Sequence, residues 1–256
     1  MDKTYPVKQS IFSLFIISIG LSLFSFKKVE RPPGTVQIGP GFYFDKAEVT
    51  NFNWLEYTTW NKNRYGVKSE QYLNSLRDTS VWGSVNPDYV TFYHQHSAYG
   101  SYPAVGISYE QAVDFCHWRT NMVNLYFHIK QNKLEYHSDS TYSNVPQRYL
   151  YRLPTQEEWK SVASAGYNPK TLKKKNKKAI NQVNTKNKFT EPSISGWTNT
   201  SGIYGLFGNV AEMVETKGIS KGGSWKKAIT ELDVLALQHY TGPNNWLGFR
   251  CACEEL

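Results

Sequence analysis

The sequence predicts an irregular α/β fold with little regular secondary structure. Aromatic residues are 15% of the chain, including 8 Trp and 18 Tyr, so its core is built largely from rings. The 18 Gly and 11 Pro break the chain too often for a helical bundle. Only three stretches carry helix signals, and much of the remainder is short apolar segments divided by turn residues. With 256 residues the chain buries roughly 70–75% of its unfolded surface and needs no cross-links to fold.

Taken in order, residues 9–26 (QSIFSLFIISIGLSLFSF) carry no charge, with Lys3 and Lys8 before them and Lys27 and Lys28 after. As a helix they would reach about 27 Å, close to a bilayer core. Residues 1–30 therefore read as a secretory signal or an uncleaved membrane anchor, and residues 31–256 as the folded domain. No cysteine lies near the apolar segment, which argues against a lipid-anchored N-terminus. Residues 31–47 read as a linker feeding a short strand near Phe42–Phe44. In EVTNFNWLEYTTW, Thr50 or Asn51 can cap a helix carrying Phe52, Leu55 and Thr59 on one side. Residues 61–100 show no long periodic run.

The clearest helix follows Ser108. Gln111 stands three residues on, as a capping box requires, and Tyr109, Ala112, Val113, Cys116, Thr120, Val123 and Phe127 share a face. In RLPTQEEWKSVASAG, Thr155 and Glu158 repeat the box, Trp159, Val162 and Ala163 pack, and Gly166 is a stop signal. From about residue 197 the chain reads as turns and short strands.

The net charge of +8 is unevenly spread. Eight lysines and no acid lie between Lys170 and Lys188, so the rest of the chain is near neutral. This basic insertion, residues 168–190, reads as a solvated loop or as a contact for anionic lipid, polysaccharide or an acidic partner, centred on Lys173, Lys174, Lys175, Lys177 and Lys178. No recognition motif accompanies the lysines, so nucleic acid is not expected.

Six stretches, EVTNFNWLEY, YPAVGISYEQAVDFCHW, RLPTQEEWKSVASAG, NTSGIYGLFGNVAEMV, KGGSW and GFRCA, occur in the order found in the formylglycine-generating enzyme (sulfatase-modifying factor) family, which the chain resembles from about residue 34 to 253. The resemblance implies a compact α/β domain with a C-type-lectin-like core. It also implies a calcium site in which Phe207, Gly208 and Val210 supply backbone carbonyls and Glu212 a carboxylate; by the residues alone, Glu212 could instead pair with a buried cation. It further implies a disulfide between Cys116 and Cys251, leaving Cys253 unpaired.

The enzymes of this family oxidise a substrate cysteine with oxygen and copper(I), held by two thiolates shortly after the Gly-Gly-Ser motif. The corresponding positions here are Lys227 and Leu232, so no copper is expected. The resemblance then implies a non-catalytic, periplasmic envelope protein similar to gliding-motility and type 9 secretion proteins, whose partners are other proteins of a membrane-associated complex. Two other readings are a metal-dependent oxidase or hydroxylase using His94, His96 or His239, and a lectin-like glycan binder.

Overall fold

The computed structural model describes residues 30–136, 142–165, 189–195, 198–226 and 236–256. The chain divides into two units, Met1–Glu30 and Arg31–Leu256, and every named strand and helix belongs to the second. The apolar segment 9–26, the lysine-rich loop and Gly166 lie outside the described residues. Among those described, no helix is long and apolar enough to cross a membrane.

Strands β1 (Thr35–Gly39) and β2 (Phe42–Asp45) form a hairpin, so the short strand expected near Phe42–Phe44 is present and part of the linker expected before it is a second strand, at the sheet edge. Strand β3 (Tyr149–Arg152) and the C-terminal strand β8 (Ala252–Glu255) complete an antiparallel sheet of order β1-β2-β8-β3. A second sheet has order β6-β5-β4-β7, from β4 (Ala211–Met213), β5 (Ile219–Lys221), β6 (Gln238–His239) and β7 (Leu247–Phe249). Only Arg250 and Cys251 separate β7 from β8, so these two residues carry the chain from one sheet to the other.

Helix α1 (Asn51–Tyr65) starts at Thr50, whose hydroxyl accepts from the Asn53 amide while the Asn53 side chain accepts from the Thr50 amide. Its buried face is not the one expected. Phe52 and Leu55 are 58% and 48% exposed, and Asn51, Trp54, Tyr57 and Asn61 turn inward instead. Trp54 decides the orientation: its indole stacks on Phe115 at 5.5 Å, meets Phe249 edge-on at 6.1 Å and donates to the Ser75 carbonyl. One buried Trp outweighs an exposed Phe–Leu pair once ring contacts and a satisfied N–H are added. Asn51 follows because its side chain caps backbone groups, donating to the Tyr93 and Tyr99 carbonyls and accepting from Arg77.

The region 61–100 folds as short helices, α2 (Glu70–Asn74) and α3 (Pro87–Phe92), with 3₁₀ turns at Thr79–Trp82 and Ser97–Tyr99. Helix α4 (Tyr109–Asn132) carries the Ser108–Gln111 box and buries Ala112, Cys116, Thr120, Val123 and Phe127, the face the periodicity predicts. It lies against β3, where the Thr120 hydroxyl accepts from the Tyr151 amide and the Arg119 guanidinium sits 4.3 Å over the Tyr151 ring. Helix α5 (Gln156–Ser164) has the Thr155–Glu158 box and buries Trp159, Val162 and Ala163. Glu158 also pairs with Arg152 at 2.6 Å, tying α5 to β3, and Arg152 reaches Glu254 on β8.

Candidate functional site

The opening of β4 meets the sheet crossover in a buried cluster of charges. Glu212 and Arg250 are both fully buried. The Arg250 Nε and Nη2 donate to the Glu212 Oε2 and Oε1 at 2.7 and 2.6 Å, a bidentate pair. Arg250 also donates to the Asp45 and Tyr204 carbonyls at 3.2 and 2.8 Å, and the Trp159 indole donates to Glu212 Oε2 at 2.8 Å. Five segments are thus joined: the end of β2, the 204 loop, α5, β4 and the β7–β8 crossover. Burying an Arg is tolerable only when its donors are served.

Glu48 is a second buried carboxyl beside the same guanidinium. Its Oε1 accepts from Asn209 at 3.1 Å, while its Oε2 has no hydrogen-bond partner among the described residues. Burial raises its pKa to about 8; Arg250 offsets this only in part, because Glu212 already occupies that cation and adds a repelling charge. Glu48 therefore keeps its proton at neutral pH.

The glycines hold the backbone around this cluster. Gly205 has φ +62, and a Cβ there would sit 2.6 Å from the Glu48 carboxyl. Gly222 has φ +90, and a Cβ there would meet the Leu206 carbonyl at 2.7 Å and the Trp159 ring at 3.1 Å. The close approach is used: the Gly208 amide donates to the Gly222 carbonyl, and the Trp225 amide donates to the Asn209 carbonyl, both at 2.8 Å.

Of the residues expected to hold calcium, Phe207, Gly208 and Val210 would do so through main-chain carbonyls and only Glu212 through its side chain. Val210 is buried among Trp82, Tyr93 and Val105, and Phe207 packs edge-on against Trp159. The Glu212 carboxylate, which the ion needs, already accepts three hydrogen bonds and is neutralised by Arg250. This carboxylate does not fit a free cation site; it is the partner of a buried cation, Arg250.

All three cysteines lie in the core. The Cys116 and Cys251 sulfurs are 3.5 Å apart although they lie 135 positions apart in sequence, and both are free thiols. Burial and the Cys116 thiol push Cys251 up, and burial raises Cys253 to about 12. Neither Cys251 nor Cys253 offers a thiolate at neutral pH. The histidines do not converge: His94 is buried, His96 accepts the Ala98 amide and His239 lies on β6. Among the described residues no three His, Cys, Asp or Glu side chains gather to hold a metal ion. Lys227, Leu232, Lys173, Lys174, Lys175, Lys177 and Lys178 lie outside the described residues.

The motif GFRCA by itself gives Arg250 no task, and nothing in the sequence around Glu48 singles it out. A signal for the arginine does exist: a lone charge inside the apolar run LGFRCAC must be paired if buried.

Fold and cluster together define an irregular α/β module whose two small sheets are pinned by one buried ion pair. The chain belongs to the sulfatase-modifying factor enzyme 1-like domain family, whose model matches residues 6–255. The fold is similar to that of CarF, with 17% identity over 87% of this chain and 95% of that one at a TM-score of 0.50. It is also similar to Treponema denticola variable protein 1, with 16% identity over 88% and 92% at a TM-score of 0.51. No curated protein matches the chain.

Replacing Arg250 by Met leaves Glu212 buried and unpaired, and destabilises the protein by about 3–5 kcal/mol in urea unfolding. Adding Glu212→Leu to that variant gives a loss smaller than the sum of the two single losses by about 1 kcal/mol or more.

Glu48 also sets a pH dependence. A carboxyl raised from 4.5 to about 8 favours the folded state at low pH, and that contribution is lost as pH rises through about 8. His94, depressed to about 3 by burial and Arg77, changes stability only below its ordinary 6.5. Between about pH 6.5 and pH 8, wild type therefore loses about 1–2 kcal/mol relative to Glu48→Gln, measured by urea midpoints.

Proposed function

We propose that this chain is a non-catalytic scaffold or binding subunit of a bacterial envelope complex, of the kind that serves secretion or gliding motility. One observation carries the reading: the chain has only three cysteines, and all three are buried among core side chains, with Cys251 and Cys253 held away from the thiolate form. Copper(I) chemistry on this fold needs accessible thiolates, and the two family positions for them hold Lys227 and Leu232. The apolar segment 9–26 supports export, with the domain facing the periplasm and tethered where the segment stays uncut. The lysine loop, residues 168–190, supports docking to an acidic partner or an anionic lipid or polysaccharide surface.

Affinity purification from the native envelope tests this reading. Partners should co-purify with wild type, and changing Lys173, Lys174, Lys175, Lys177 and Lys178 to Glu should weaken that recovery and its salt sensitivity. The same preparation, given copper(I), oxygen and a cysteine-containing peptide, should form no aldehyde; aldehyde formation would overturn the reading.

Export to an oxidising compartment should also close a Cys116–Cys251 bridge, since the two sulfurs already face each other. Alkylation in denaturant without reductant should then add a single group, on Cys253, as read by intact and peptide mass. Three added groups would show that the bridge does not form.

A further inference from the structure

Helices α1, α2 and α4 border a groove of about 300 Å³ that shares no residue with the Glu212–Arg250 cluster. The volume is at the lower end for small-molecule sites. Its aromatic wall comes from Tyr57, Trp60 and Tyr65 of α1 and Trp118 of α4. The rings brace one another: Tyr57 and Trp118 lie 5.4 Å apart against the buried Phe115, and Trp60 meets Tyr65 edge-on at 5.6 Å. Helical spacing sets an acid beside the rings, because Asp114 precedes Trp118 by about one turn on the same face of α4. Glu70, in the first turn of α2, supplies a second acid. Tyr57, Trp60 and Trp118 are buried or half-buried, whereas Tyr65, Glu70 and Asp114 stand at an exposed rim.

The charge of this lining has one sign. Glu70 and Asp114 border the groove, and no Lys, Arg or His does. Neither carboxylate is ion-paired with a described residue. The Asp114 charge reaches the ring wall: after burial, which is the larger cause, it helps push the Tyr57 phenol up to about 12. Elsewhere the chain holds its own cations with this same combination of ring and carboxylate. Arg119 lies 4.3 Å over the Tyr151 ring and pairs with Asp45 at 2.7 Å. Arg148 lies 4.9 Å over the Tyr149 ring and pairs with Glu255 at 3.0 Å. Lys217 lies 6.0 Å over the Tyr109 ring and pairs with Glu110.

These features select for positive charge. Ring faces attract a cation, and more strongly where water is displaced. The two carboxylates, with the amide oxygens of Gln71 and Asn121 at the rim, accept from N–H groups. A neutral ligand would strip water from two carboxylates and bring no countercharge, and an anion would be repelled. A bare metal ion is served worse: the ring walls offer it no ligand, and among the described residues no three His, Cys, Asp or Glu side chains gather to hold one. We infer that the groove between α1, α2 and α4 binds a small organic cation carrying N–H donors, an alkylammonium or alkylguanidinium, seated on Trp60 and Trp118 and neutralised by Glu70 and Asp114. The site goes beyond the scaffold reading and does not depend on it, because it uses none of the cysteine positions or lysines on which that reading rests.

The test is titration of ¹⁵N-labelled full-length protein with butylamine, putrescine and agmatine, against butan-1-ol and butyrate as the uncharged and anionic counterparts. At least one of the three cations should shift the Trp60 or Trp118 indole N–H signal saturably, and added salt should weaken that binding. Butanol and butyrate should leave both signals unmoved. Glu70→Gln and Asp114→Asn, both at exposed positions, should together weaken binding about tenfold or more while preserving the dispersed spectrum of the fold. Trp60→Ala should weaken it as well. The inference is overturned if no cation moves either indole, if butanol binds as tightly as the amines, or if the folded double variant binds as wild type does. Binding of an arginine- or lysine-containing peptide with none of the free cations would also overturn it, by giving the groove to a protein partner.

Discussion

One buried guanidinium organises this fold. Arg250 stands where the chain leaves one sheet for the other, and its charge must be matched without water. Three of its nitrogens are used, on Glu212, on the Asp45 carbonyl and on the Tyr204 carbonyl. Each acceptor comes from a different part of the chain, so the cost of desolvating the charge is offset only when all those parts are in place. The demand spreads outward. Glu48 ionises only with difficulty beside a guanidinium already neutralised, so its pKa is pushed up to about 8. Gly205 must lack a side chain because the Glu48 carboxyl fills that space.

The crossover is fastened a second time through Asp45. Its Oδ2 accepts from the Cys251 amide at 2.8 Å and from Arg119 of α4 at 2.7 Å. Cys116, also on α4, puts its sulfur 3.5 Å from that of Cys251. The long helix is therefore held to the same two-residue junction by an ion pair and a pair of facing thiols. A disulfide formed here would stiffen a contact that packing and charge already specify, which fits a chain long enough to fold without cross-links.

The helix boundaries were legible because their signals are local. Thr50, Ser108 and Thr155 each cap as their neighbours three residues on require. The face of α4 was legible too, since its small and apolar residues recur at helical spacing. The face of α1 was not. A stripe of Phe52, Leu55 and Thr59 looks like a core face, but the real one depends on the Trp54 indole finding Phe115 and the Ser75 carbonyl, which are distant in sequence. The same limit hid the charge cluster. Glu48, Glu212 and Arg250 meet only through the tertiary fold, and periodicity carries no record of that meeting.

Main-chain contacts and one buried charge pair hold the second half of this fold. The 205–210 and 222–225 segments are locked by backbone hydrogen bonds, by Gly222 against Leu206 and by Trp159 on Glu212. The cluster around Arg250 is therefore better understood as a support of this frame than as an open site, because its guanidinium and the Glu212 carboxylate are spent on each other.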